Sequence, residues 1–277
     1  MSRSDGGRTS IRMAPLADLF DMRLRSLRRD RAARIGPALF LYERAFEEIL
    51  ERLGHVNRRF ESALLIGCPS SEWRSRLAPL VDKLTVTDPG SEFAKGSCGE
   101  QHIEDEIDLE PGSFDLIVAI GTLDTINDLP GAFLRLRFLL RPDSLLIGAM
   151  SGGDTLPRLR QAMRAADTVM GAASPHIHPR IEPAGLAQLL VAAGFVMPVV
   201  DVDRAKVAYR DLRQLIGDLR AMGATNILKE RPRRPVDRAA LAAAQGSFTE
   251  GSEEGRTVET FEILHFAAWT PLEQAYE

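Results

Sequence analysis

Ala63-Leu64-Leu65-Ile66-Gly67-Cys68-Pro69-Ser70-Ser71-Glu72 is the stretch on which the fold of this chain turns. A short apolar run ends in glycine, and a polar loop leads into a helical pattern. That is the layout of a buried strand delivering its carboxyl end to a nucleotide. The loop itself departs from the layout. Close approach of a ligand to the backbone needs glycine, because any Cβ stands in the way. Only Gly67 supplies one, and Pro69 also removes an N–H donor. The strand therefore predicts a nucleotide-type fold, while the loop leaves open whether the nucleotide is still held.

The same strand-helix alternation continues on both sides. Residues 37–53 carry apolar side chains at helical spacing, with Gly54 as a stop. Residues 73–80 read as a helix and 84–88 as a second strand closed by Pro89-Gly90. Residues 114–120 are a buried strand, 129–140 a helix, Arg141-Pro142-Asp143-Ser144 a turn, and 145–150 another apolar strand. Such alternation predicts an α/β fold, a parallel sheet with helices on both faces. Helices are then expected over 156–170 and 183–194, a strand over 195–202, and residues 205–209 as an addition to the sheet. A helix over 209–222 ends at Gly223, and a short one covers 238–245. The pieces near 151–180 and 210–245 are expected to form a helical cap over the strand ends. Glu230-Arg231-Pro232-Arg233-Arg234-Pro235 reads as a solvated loop.

A chain of 277 residues can bury one large core. Its net charge of −4 gives no footing for nucleic acid, and no apolar run is long enough to span a bilayer. Two cysteines, Cys68 and Cys98, make no disulfide framework and suit a reducing compartment, so the expected location is cytoplasmic. Residues 1–15 are polar at first and read as a disordered tail. Residues 16–56 read as N-terminal helices packed on a core formed by 57–277. The first of these helices, over 16–34, interleaves Leu19, Phe20, Leu24 and Leu27 with arginines. It is expected to lie over the main domain with its charged face in solvent.

Ligands on such a sheet bind beyond the carboxyl ends of its strands. Gly67 and Cys68 lie there, and so does Asp88. A carboxylate ending the second strand can accept hydrogen bonds from both hydroxyls of a ribose. The same Asp before Pro-Gly also reads as a turn former. Glu104 and Asp105 could accept from an adenine amine, or form a solvated acidic loop. Thr122 and Asp124 follow the 114–120 strand, and Asp154 follows the 145–150 strand, where it also reads as a helix N-cap. His176 and His178 would share one face of a strand, but no third ligand lies near, so no metal site is expected. Asp124, Asp154 and His176 are the candidates for catalysis.

Several blocks go further. They include Arg29-Asp30-Arg31-Ala32-Ala33, Phe40-Leu41-Tyr42-Glu43, Ile126-Asn127-Asp128-Leu129-Pro130 and Ser174-Pro175-His176-Ile177. The most specific are Gly148-Ala149-Met150-Ser151-Gly152-Gly153-Asp154-Thr155-Leu156 and Asp218-Leu219-Arg220-Ala221-Met222-Gly223-Ala224-Thr225-Asn226. With these the chain resembles class I S-adenosylmethionine-dependent methyltransferases. It is most similar to the family of the mitochondrial complex I assembly factor 5 and its bacterial relatives. The malonyl-carrier-protein methyltransferases of biotin synthesis are a more distant likeness. The resemblance implies a Rossmann-like, seven-stranded sheet with a final hairpin strand at 260–269, and S-adenosylmethionine as cofactor. It also implies methyl transfer or arginine hydroxylation, and a protein substrate or partner in complex I assembly. Against the family pattern, two glycines of the first motif are replaced by Pro69 and Ser71, and the adenine-side acidic position falls on Ile103. The Ser-Leu-His-Trp segment becomes Thr122-Leu123-Asp124-Thr125. Two functions are consistent with this: a methyltransferase-like enzyme with a divergent loop, or a pseudoenzyme that keeps fold and cap to bind a protein.

Overall fold

The computed structural model describes residues 18–272. The tail expected over 1–15 lies outside them. Seven strands form one sheet in the order β3-β2-β1-β4-β5-β7-β6. They are β1 (Phe60–Ile66), β2 (Val81–Asp88), β3 (Glu100–Gln101), β4 (Phe114–Ile120), β5 (Leu140–Ser151), β6 (Val196–Tyr209) and β7 (Thr257–Trp269). Strands β1 to β5 run parallel, and β7 enters antiparallel between β5 and β6. The seven-stranded Rossmann-like arrangement expected from the resemblance is therefore present. The final hairpin strand makes the sheet mixed where alternation alone predicted a parallel one.

The central strands are buried on both faces, which is why β4 reads Phe-Asp-Leu-Ile-Val-Ala-Ile with hardly a polar residue. On one face pack α2 (Phe40–His55), through Ala45, Phe46, Ile49 and Leu53, and the short α3 (Glu72–Leu77). On the other face pack α5 (Leu129–Leu139) and α7 (Pro183–Ala192). Helices α6 (Pro157–Met170), α8 (Leu212–Ala221) and α9 (Arg238–Thr249) share a third apolar cluster with Tyr209 and Phe261. Two helices remain, α1 (Met22–Ile35) and the short α4 (Ser91–Gly96).

Three local expectations are corrected. Residues 141–144 are not a free turn but the start of β5, where Asp143 takes φ 53° and its N–H bonds the Pro271 carbonyl at 3.1 Å. Residues 196–209 form one continuous strand, because β7 pairs with it from Val196 to Tyr209. Asp154 is exposed and does not cap α6. Leu156 precedes the first turn, and the Glu259 carboxylate accepts from the N–H groups of Arg158 and Leu159 at 3.2 and 2.8 Å. A carboxylate at a helix start is favoured by the unpaired N–H groups there, whichever strand supplies it.

The chain runs from β1 to β2 on one side and from β4 to β5 on the other, so a crevice opens between the carboxyl ends of the parallel neighbours β1 and β4. Gly67, Asp88, Gly121 and Ser151 stand around that crevice. Gly67 has φ +80°, and a Cβ there would lie 2.3 Å from the Ile120 carbonyl oxygen. Gly67→Ala is therefore expected to cost about 1–3 kcal/mol in a urea unfolding experiment. An unchanged midpoint would contradict the tight β1–β4 approach.

Candidate functional site

Helix α1 covers the crevice and sends Arg25 and Arg29 into it, leaving a cavity bordered by those two arginines, Gly121 and Ser151. Residues before the helix are tied down first: the Phe20 N–H donates to Asn127 Oδ1 at 2.8 Å, and the Asp21 N–H to the Ile227 carbonyl at 2.9 Å. The Asp21 carboxylate then caps the helix through the Leu24 N–H at 3.0 Å. Asp30 in turn caps α4, accepting from the Glu92 N–H at 2.9 Å and the Ser91 hydroxyl at 3.0 Å. Gly223 and Gly90 let the helix sit this close, since Cβ atoms on them would meet Arg29 at 3.2 and 2.8 Å. Arg29-Asp30, Asn127 and the segment around Gly223 all come from the blocks that carry the family likeness, and they meet at this one helix.

Arg25 and Arg29, one turn apart, point into the crevice and are both buried. Arg29 forks onto Asp88, Nε to Oδ1 at 2.8 Å and Nη2 to Oδ2 at 2.5 Å. The Gly90 and Cys68 N–H groups donate to the same two oxygens at 2.7 and 2.9 Å. Arg25 forks onto Glu104 at 2.7 and 2.8 Å, and also donates to the Thr122 carbonyl at 2.6 Å and to Thr125 Oγ1 at 3.1 Å. Neither Asp88 nor Glu104 exposes any surface. These corrections matter for the site. The first helix keeps Arg23, Arg31 and Arg34 in solvent as expected but turns Arg25 and Arg29 inward, Glu104 is no solvated loop residue, and Asp88 does more than shape a turn.

The electrostatics follow from the pairing. Burial alone pushes Glu104 up, but the charge and hydrogen bonds of Arg25 overcome it and hold the carboxyl below its usual range. Burial likewise lowers Arg29, and Asp88 more than reverses this, so its pKa is raised. Asp105 stands half-buried beside Glu104 and is shifted upward, first by burial and then by its acidic neighbours. The Cys68 thiol is pushed up to about 12 by burial and by Asp88, and donates to the Ser70 carbonyl. It stays protonated and is no nucleophile.

A ribose diol would need acceptor positions on Asp88, and a carboxylate has about four. Four donors from the chain itself already occupy them. An adenine amine would need Glu104, whose two oxygens both face Arg25. As folded, the Asp88 and Glu104 carboxylates do not fit the ribose and adenine of S-adenosylmethionine. Trp73 plays no part in this: its ring stacks on Phe46 at 4.3 Å and its N–H binds Glu43, inside the α2 layer.

The remaining candidates lie further along the strand ends. Asp124 accepts from Arg180 in a buried ion pair. His176 Nε2 lies 2.7 Å from Asp167 Oδ1 in an open groove. His178 is buried, accepts the Ile227 N–H at Nε2, and stands edge-on to Phe20 at 5.3 Å. Among the described residues no group of three His, Cys, Asp or Glu is placed to hold a metal. The sequence reading missed Arg25, Arg29 and Arg180. Arg25 and Arg29 had a signal, an i, i+4 pair on the face that ends at Ala32.

The family described as "Methyltransferase domain" matches residues 39–198. The chain is 32% identical over 243 residues to the arginine-hydroxylase NDUFAF5, mitochondrial, of Danio rerio, covering 84% of this chain and 75% of that protein. The Mus musculus protein of the same name is 33% identical over 271 residues, with 91% and 77% covered. The malonyl-[acyl-carrier protein] O-methyltransferase of Xylella fastidiosa is 38% identical over 160 residues, 57% of this chain and 52% of that one. Among solved structures, the YcgJ protein of Bacillus subtilis superposes with a TM-score of 0.56 at 10% identity, covering 83% of this chain and 99% of that one. A putative methyltransferase of Bacillus halodurans gives 0.54 at 11% identity, with 81% and 98% covered, a likeness of fold alone.

Proposed function

Because this chain belongs to the methyltransferase-domain family, and within it to the group of the NDUFAF5 arginine hydroxylases, we propose that it is a protein-binding assembly factor. On this reading it no longer uses S-adenosylmethionine. One observation carries the proposal: the two carboxylates suited to ribose and adenine are spent on Arg25 and Arg29 of the chain's own α1. Loss of the loop glycines to Pro69 and Ser71 points the same way. The family kinship supports a partner on the respiratory complex I side, and on this reading the cluster of α6, α8 and α9 is the surface that meets it. Among the described residues no helix is long and apolar enough to cross a membrane.

A second reading is methyl transfer after α1 withdraws. It is supported by the retained Gly67 and Asp88 and by Gly36, which follows α1 with φ 92° and could act as its hinge. Calorimetric titration of the full chain separates the two. The expected result is no binding heat at millimolar S-adenosylmethionine, for the natural chain and for Pro69→Gly/Ser71→Gly alike, since the arginines remain. Micromolar binding to the natural chain would overturn the assembly-factor reading. A strain lacking the protein should assemble less complex I and recover when the chain is restored.

A further inference from the structure

A second cavity opens beyond the carboxyl ends of β4 and β5, between α2 and α8. Leu41, Ile120, Met150, Leu156, Leu219 and Phe261 give it apolar walls. Most of its polar groups are already engaged. The Tyr42 hydroxyl donates to the Met222 carbonyl at 3.0 Å. The Thr155 hydroxyl exchanges hydrogen bonds with the Glu262 backbone, and the Glu262 carboxylate is paired with Arg204. Arg180 is different. Its side chain is only 5% exposed and it lines this cavity. One guanidinium nitrogen, Nη1, is held by Asp124, yet Nε finds no acceptor among the described residues. A buried donor without an acceptor is rare and costly in a folded protein.

We propose that this cavity is a binding site for a small monocarboxylate with a short hydrocarbon stem, its carboxylate received by the Nε edge of Arg180. The guanidinium fork matches a carboxylate in shape, and Asp124 fixes its orientation by holding the other nitrogen. The apolar walls take the stem. Charge decides against a dianion such as phosphate. Arg180 is the one cation among the residues that line the cavity, and Asp124 already holds one of its nitrogens, so the site can answer a single negative charge at most. The inference rests on Arg180 and the apolar walls, none of which belongs to the Asp88 or Glu104 pairs, while Gly121 and Ser151 border this cavity and the α1 crevice alike.

The test is a thermal-shift titration of the full chain with acetate, butyrate, hexanoate and octanoate, with hexanamide as the uncharged control. A saturable rise in melting temperature is expected for at least one of the longer acids, with hexanamide needing about tenfold more ligand for the same rise. Arg180→Lys, which keeps the charge but lacks the Nε edge, should weaken the response by about the same factor. Equal responses to hexanoate and hexanamide, no saturable response to any acid, or an unchanged titration in Arg180→Lys would each overturn the proposal. The comparison of acid with amide uses the natural protein, so it decides the matter even if the variant does not fold.

Discussion

Arg29→Met is expected to destabilise the protein by about 3–5 kcal/mol, read from the midpoint of urea unfolding. Methionine can fill much of the space of the arginine stem but leaves the Asp88 carboxylate buried, with only the Cys68 and Gly90 N–H groups to answer its charge. A buried ion pair contributes little net stability over an apolar pair, yet breaking one by removing a single partner is severe, because the charge left behind can neither reach water nor find a partner. Arg29→Lys should not rescue it fully, since an ammonium cannot reproduce the two-point contact at 2.8 and 2.5 Å. Pairing Arg29→Met with Asp88→Asn should recover part of the loss by removing the stranded charge. A change below about 1 kcal/mol in Arg29→Met would mean that α1 leaves the crevice readily and that water reaches Asp88. That outcome would also favour the reading in which the helix withdraws to admit a cofactor.

Acidification is expected to weaken the fold through His178. Burial, with a smaller contribution from the Arg28 charge, lowers its pKa from 6.5 to about 4. Geometry agrees: Nε2 accepts the Ile227 N–H at 2.9 Å and so cannot carry a proton in the folded state. Above pH 6.5 the ring is neutral folded and unfolded alike, and its contribution is fully present. Below that the unfolded chain takes up a proton that the folded chain refuses, and stability falls until the folded ring titrates near pH 4. The loss accumulated over this window is about 3 kcal/mol. His178→Gln keeps an acceptor for Ile227 and does not titrate, so the difference between the two stability-versus-pH curves isolates the histidine. Parallel curves would sink the prediction. Since Ile227 also accepts from Asp21 at the start of α1, protonating this ring should loosen the anchor of the helix that covers the crevice.

Much of the architecture was legible before any coordinates. The β4 segment reads as an unbroken apolar run because both of its faces are covered, and the structure places it from Phe114 to Ile120 as predicted. Helix α5 was legible from its apolar stripe, Ala132, Phe133, Leu136 and Leu139. Failures came where a distant segment overrode a local signal. Arg141-Pro142-Asp143-Ser144 has turn chemistry, yet Thr270 and Pro271 hold it in line with β5. Asp154 has the composition of a helix cap, yet Glu259 from β7 does the capping.

The sequence by itself determined the central strands and the helices that cover them, and the strand ends at which a ligand is to be sought, because burial imposes a period on the chain and close approach demands glycine at Gly67. It also showed that the loop after β1 had lost what a cofactor's phosphate-like approach requires. Which way Arg25 and Arg29 face was decided only by tertiary structure. An arginine in a helix is at home in solvent or in a buried pair, and its local pattern does not distinguish the two. Only the folding together of α1, Asn127 and the segment around Gly223 sets those guanidinium groups opposite Asp88 and Glu104, where desolvation commits each charge to its partner.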